Sequence, residues 1–163
     1  MDEVLMPVES VHVRPEKAWV MRRAVHFLSH RPGEAFLLLR MAMWVALLSF
    51  LIKFLPLPRV LSLIAGGTRG TSPKNPAMTQ QRLAQLVDAL LGINFLCFTP
   101  TCWKRAPVLY RYLGLYGIET RIVFGVRKGH DSLLAGHAWL EADGQPLLET
   151  SPPRYTTTYS FPA

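Results

Sequence analysis

The chain has 163 residues, half of them of hydrophobic types. That is enough for one core with a small appendage and too little for two full domains. Lys and Arg number 18 against 11 Asp and Glu, a formal net charge of +7, which suits an acidic peptide or an anionic membrane surface. The basic residues are scattered with no aromatic-interleaved stripe, which argues against nucleic acid as a partner.

The start, MDEVLMPVES, is acidic and mixed, unlike a secretory signal. Residues 14–33, RPEKAWVMRRAVHFLSHRPG, read as a first helix with Val20, Ala24, Phe27 and Leu28 on one face, ended by Pro32-Gly33. Residues 35–58 follow as a second, apolar helix stopped at Pro56. Its uninterrupted apolar core, Met41 to Ile52, is 12 residues, short of the roughly 20 that span a bilayer, and Arg40 and Lys53 flank it. A buried or membrane-surface helix is therefore expected rather than a span. PRVLSLIAGG gives a short third helix, and GGTRGTSPKNPAM reads as a loop. Thr79 is the expected N-cap of a fourth helix, in which Leu83, Leu86, Val87 and Leu90 keep helical spacing up to Gly92.

A fifth helix opens near Cys102. Trp103, Ala106, Leu109, Tyr110 and Leu113 form its apolar side, Pro107 is tolerated near its start, and Gly117 stops it. From Glu119 the period changes: TRIVFGV, HAWLEA and PLLET are short, alternating or β-branched segments with turn residues between them. Helices followed by an antiparallel sheet, with no βαβ repeat, make an α+β fold. The domain reading is an N-terminal helical region over 1–65, a loop over 66–78 and a catalytic domain over 79–163.

The two cysteines, Cys97 and Cys102, flank a helix start and are poorly placed for a disulfide, which fits a reduced, cytoplasmic setting. Cys97, in INFLCF, reads as an apolar filler. Cys102 follows Pro100-Thr101 at a helix N-terminus, where unpaired N–H groups and the helix dipole stabilise a thiolate; taken locally, a structural cysteine capped into the core explains it slightly better. His137 opens the strand HAWLEA, and a lone histidine there would be a half-buried sheet residue. Following a helix-start cysteine, it stands in the order that cysteine hydrolases use. Glu149 is the third candidate. A two-residue loop at Asp143-Gly144 would pair Ala138 with Glu149 and turn the glutamate away from His137. A three-residue loop, Ala142-Asp143-Gly144, would put His137 and Glu149 opposite each other on one face. A Cys-His-acid triad requires the second loop, with Gly144 at positive φ. The alternative for Glu149 is an exposed strand carboxylate. No metal or nucleotide motif is visible.

TCWKRAPVLYRYLGLYGIETRIVFGV followed by GHAWLEADGQPL resembles the B2 leader peptidases of lasso-peptide biosynthesis, over about residues 79 to 150. The resemblance rests on Cys102 with Arg105 and Ala106, on Gly117-Ile118, on Gly125-Val126 and on His137 to Trp139. It implies a transglutaminase-like, papain-related fold. It also implies a cysteine peptidase with Cys102 as nucleophile, His137 as base and Glu149 in the orienting place that the family usually gives to Asp. No cofactor is implied. The implied partners are the leader region of a lasso-peptide precursor, a separate winged-helix leader-recognition protein, and a macrocyclase that takes the freed core. Two other readings remain. One is an amidase or transglutaminase on the same fold. The other is a non-catalytic, membrane-associated helical scaffold, supported by residues 35–58.

Overall fold

The computed structural model describes residues 32–66, 70–94, 96–128, 134–149 and 153–162. Four helices, α1 (Pro32–Leu51), α2 (Leu57–Ala65), α3 (Pro76–Leu91) and α4 (Cys102–Leu115), precede four strands, β1 (Arg121–Lys128), β2 (Leu134–Ala142), β3 (Gln145–Leu147) and β4 (Thr156–Phe161). The helix expected over 14–33 lies outside the described residues except for its last two. Those two, Pro32 and Gly33, belong to the first turn of α1. Proline at a first helical position loses no hydrogen bond, so this pair starts a helix where a stop was expected.

α4 is the centre of the molecule, packed against the other three helices and against β1 and β2. Leu109, Tyr112 and Leu113 of α4 are buried with Met41, Val45 and Leu48 of α1, Val60, Leu61 and Ile64 of α2, and Leu83, Val87 and Leu91 of α3. Polar ties hold the layers in register. Glu34, buried in the first turn of α1, pairs with Arg82 of α3. Arg111 of α4 donates to the Ile64 carbonyl (2.7 Å) and lies 3.9 Å from the Trp44 ring centroid. α4 closes as a Schellman motif, with Ile118 N–H on the Leu113 carbonyl (3.0 Å) and Gly117 N–H on Gly114 (3.0 Å).

α1 runs for 20 residues, starting before the expected 35 and ending at Leu51, ahead of the expected stop at Pro56. Over Gly33–Leu51 it is long and apolar enough to cross a membrane by length and composition, with a mean hydropathy of 1.8, and 22% of the stretch is buried within the chain. Its inner side packs into the core, while Phe36, Leu39, Met43 and Phe50 are exposed. α3 starts earlier than expected: Asn75, not Thr79, is its N-cap. The Asn75 side chain accepts from Met78 N–H (3.1 Å) with Pro76 behind it at the first helical position.

The sheet is antiparallel in the order β3-β2-β1-β4. Ile122 lies opposite Leu140 and Phe124 opposite Ala138, and this face joins the helical core. Val123 lies opposite Trp139 and Gly125 opposite His137, one residue out of phase and so on the other face. β4, an edge strand of Thr156-Thr157-Thr158-Tyr159-Ser160-Phe161, was not expected from the sequence.

The β2–β3 loop differs from the one the triad was expected to need. Ala142 pairs with Gln145, so the loop is the two-residue turn Asp143-Gly144, both at positive φ (50° and 75°) as a type I′ hairpin requires. A Cβ on Gly144 would meet nothing within 4 Å. Gly144→Val is therefore expected to cost only the backbone strain of a β-branched residue at that φ, about 1–2 kcal/mol, read as a lowered urea midpoint at unchanged slope.

Candidate active site

The thiol is placed by a helix start. Thr101 is the N-cap of α4 in extended conformation, and its side chain makes no capping bond, so N–H groups of the first turn are left for a ligand. The approach to this turn is clamped by Lys104, which is buried; its Nζ donates to the Cys97 carbonyl (2.8 Å) and to Thr99 Oγ1 (2.6 Å) and lies over the Trp103 ring. Burial lowers the pKa of its ammonium. Cys97 and Cys102 are both free and half-buried, so Cys97 is less enclosed than an apolar filler.

The imidazole is placed by β2 and held by aromatic rings. His137 stacks on Trp139, two residues along the same face (centroids 5.8 Å apart, 16° between planes), and against Tyr155 (5.2 Å). Trp139 is fixed in turn, its Nε1–H donating to Glu141 (3.0 Å), whose other oxygen accepts from Arg121 (2.6 Å). Gly125, opposite His137, makes room for this stack: a Cβ there would lie 2.8 Å from Tyr155 Cβ and 2.9 Å from Trp139 Cη2. Gly125→Ala is expected to displace both rings, costing about 1–3 kcal/mol of stability as overpacking does. Because the same rings hold His137, Cys102-dependent activity should fall more than stability does; a lowered melting temperature with activity intact would show that the stack does not position the imidazole.

Glu149 reaches His137 in spite of the two-residue loop. Its Oε2 is 3.2 Å from His137 Nε2. Strict alternation from the hairpin would have turned it away, and the reason it does not is local. β3 pairs only from Gln145 to Leu147, and Leu148 then adopts φ 60°. One residue in the left-handed region breaks the period of two and returns Glu149 to the histidine. Glu149 is therefore a mostly buried, partnered carboxylate and not an exposed strand residue. Its second oxygen, Oε1, is 3.9 Å from Arg105 Nη1. Arg105 lies one helical turn past Cys102 on α4, and its Nε and Nη2 grip Asp88 of α3 (2.7 and 3.2 Å).

Three sequence candidates are thus joined unequally. The structure brings His137 and Glu149 into direct contact and shows no contact of Cys102 with either; what it shows for Cys102 is that the helix bearing it, α4, packs on β2. Among the described residues the Cys102 thiol has no hydrogen-bond partner; catalytic contacts in resting sites are commonly long and tighten with substrate. Nε2 is the ring nitrogen turned to Glu149, which leaves Nδ1 outside that contact. Among the described residues no three His, Cys, Asp or Glu side chains are grouped as metal ligands would be. A cavity of about 540 Å³ lies at the other end of α4, lined by Tyr110, Arg111, Thr120 and Phe161 among others, and none of the three candidate residues lines it.

A helix-start thiol on a helix packed against an antiparallel sheet, with a histidine on that sheet, agrees with a comparison of the sequence against protein families. A model described as the transglutaminase-like superfamily matches residues 44–160. The chain belongs to the transglutaminase-like superfamily. No curated protein and no solved structure matches the chain. The superfamily includes cysteine peptidases and acyl transferases, and its members are typically cysteine-based enzymes. The match begins at Trp44, inside α1, so helices α2 and α3 fall within the superfamily unit together with the sheet.

Tyr155, Arg105 and Asp88 were not read from the sequence as parts of the site. Tyr155 lies in a segment with no periodicity. Arg105 entered only as one residue of a resemblance, and nothing in the sequence announces that it meets Asp88, 17 positions earlier.

Proposed function

We propose that the protein is a cysteine peptidase that removes the leader from a ribosomally made lasso-peptide precursor. The observation that carries this reading is the His137–Glu149 contact on β2 beside a helix that opens on Cys102. The resemblance of residues 79 to 150 to the B2 leader peptidases supplies the substrate.

His137, through Nδ1, takes the Cys102 proton, and the thiolate attacks the carbonyl at the leader–core junction. The tetrahedral oxyanion is received by first-turn N–H groups of α4, Cys102 among them. His137 then hands its proton to the departing amine of the core as the C–N bond breaks, leaving the leader as a thioester on Cys102. Water, deprotonated by His137, attacks that thioester and restores the thiol. Glu149 holds the imidazole and stabilises its charged form throughout.

The partners of this reading are the precursor's leader, a separate winged-helix recognition protein that delivers it, and a macrocyclase that consumes the freed core. Delivery in trans raises the effective concentration of the junction at Cys102. The exposed apolar side of α1 would rest on a membrane surface in the same scheme. Retention of the chain in a carbonate-washed membrane pellet would instead show a span.

The test is intact-mass analysis of a precursor incubated with the purified chain, with and without the recognition protein. Two fragments whose masses sum to the precursor plus one water, formed at a useful rate only with the recognition protein, are expected. A product carrying an added amine would assign the site to acyl transfer. No product, together with no labelling of Cys102 by iodoacetamide, would favour the non-catalytic scaffold.

A further inference from the structure

We infer that Arg105 is a positioning residue that holds Glu149 against His137, and that Asp88 anchors it from α3. The inference rests on the peptidase reading for its activity readout, but its geometry stands apart from any substrate.

Glu149 sits past the end of β3, after a residue at φ 60°, so no strand ladder fixes it. Its carboxylate is instead shared, Oε2 on His137 at 3.2 Å and Oε1 beside Arg105 Nη1 at 3.9 Å. Arg105 is not a loose surface cation. Its Nε and Nη2 make a two-point grip on Asp88, at 2.7 and 3.2 Å, which leaves Nη1 to face Glu149. A planar guanidinium can serve two carboxylates from different edges at once; a lysine ammonium, a single point on a flexible stem, cannot hold the same geometry. Arg105 is one turn from Cys102 on the same helix. The guanidinium thus fixes the acid to the helix that bears the thiol, and Asp88 fixes the guanidinium to the neighbouring helix.

The charged groups around Glu149 support the assignment. His137 and Arg105 are its partners among the described residues, and Asp88 is drawn off by Arg105. A carboxylate with both oxygens engaged by cationic or cation-forming groups loses its rotamer freedom. An imidazole held by such a carboxylate keeps a single orientation. A misplacement of about 1 Å at such a site costs on the order of 10²-fold in rate.

The experiment is a double-mutant cycle in a Cys97→Ala background, so that Cys102 is the one thiol. Arg105→Gln, Glu149→Gln and the double variant are compared by two readouts. One is the rate of Cys102 alkylation by iodoacetamide at fixed pH, which needs no peptide. The other is kcat for precursor cleavage in the presence of the recognition protein. Arg105→Gln should lower kcat by about 10- to 100-fold with KM little changed, and should slow alkylation. Arg105→Lys should resemble Arg105→Gln rather than the parent. In the Glu149→Gln background, Arg105→Gln should add almost nothing. Full additivity in the cycle, or rescue by lysine, would overturn the inference. Should Arg105→Gln fail to fold, Asp88→Asn gives the same cycle against Glu149→Gln, with a smaller loss in the same direction. If the parent chain alkylates readily but cleaves no precursor, the peptidase reading fails while the alkylation cycle still decides the role of Arg105.

Discussion

Cys102→Ala is expected to bring precursor cleavage to background, a loss of about 10⁴- to 10⁶-fold, while Cys97→Ala keeps most of it. The two thiols are equally half-buried and both free, so exposure does not separate them; placement does. Cys102 is the first residue of α4, where uncapped N–H groups can receive an oxyanion. Cys97 lies before the helix, and what it contributes to the fold is its main-chain carbonyl, the acceptor of Lys104. Alanine keeps that carbonyl. Mass analysis of a co-expressed precursor reads both variants. Cleavage that survives in Cys102→Ala would remove the thioester mechanism. A large loss in Cys97→Ala would show that the loop clamped by Lys104 depends on the side chain as well.

The helices and the α+β order were legible because burial imposes a period. Leu83, Val87 and Leu90 face the core of α3, and Leu109 and Leu113 face it on α4, as their spacing required. Boundaries were less legible. Asn75-Pro76 is a stronger start than Thr79, since the asparagine side chain caps and the proline needs no acceptor; the apolar spacing, which begins only at Leu83, drew attention too far along. β4 was missed because its first three residues are exposed threonines on an edge, so no alternation of apolar and polar residues marks it. α1 was expected over 35–58 with its stop at Pro56, and it instead starts at Pro32 and ends at Leu51.

The candidate site was legible as residue types and not as geometry. A cysteine at a helix start and a histidine at the head of a strand are visible in one dimension. The meeting of His137 with Glu149 depends on a leucine in the left-handed region, which no propensity announces. In a regular ladder a shared face for His137 and Glu149 does require a three-residue loop. That expectation gave the wrong loop because the ladder ends at Leu147. Gly125 was legible as a glycine but not as the space for Trp139 and Tyr155, because both rings arrive from other strands or loops.

Glu149→Gln is expected to lower kcat by about 10²- to 10⁴-fold, less than Cys102→Ala and with little change in melting temperature. Glutamine keeps the length and shape of the side chain, so its local packing is undisturbed. What it removes is the negative charge facing both His137 and Arg105. The imidazolium formed when His137 takes the thiol proton then has no counter-charge, and the ring is no longer held in one orientation. Glu149→Asp separates charge from reach. It keeps the charge and withdraws the carboxylate by one methylene, about 1.5 Å, from a contact that is 3.2 Å in the parent. The left-handed turn at Leu148 sets the backbone position for the longer side chain, so aspartate is expected to recover only part of the activity even though the B2 leader peptidases that the sequence resembles usually carry Asp in this place. Aspartate equal to the parent would mean that the 148–149 backbone can adjust to the shorter acid. Glutamine equal to the parent would leave a Cys102–His137 dyad, with the aromatic stack of Trp139 and Tyr155 alone orienting the ring.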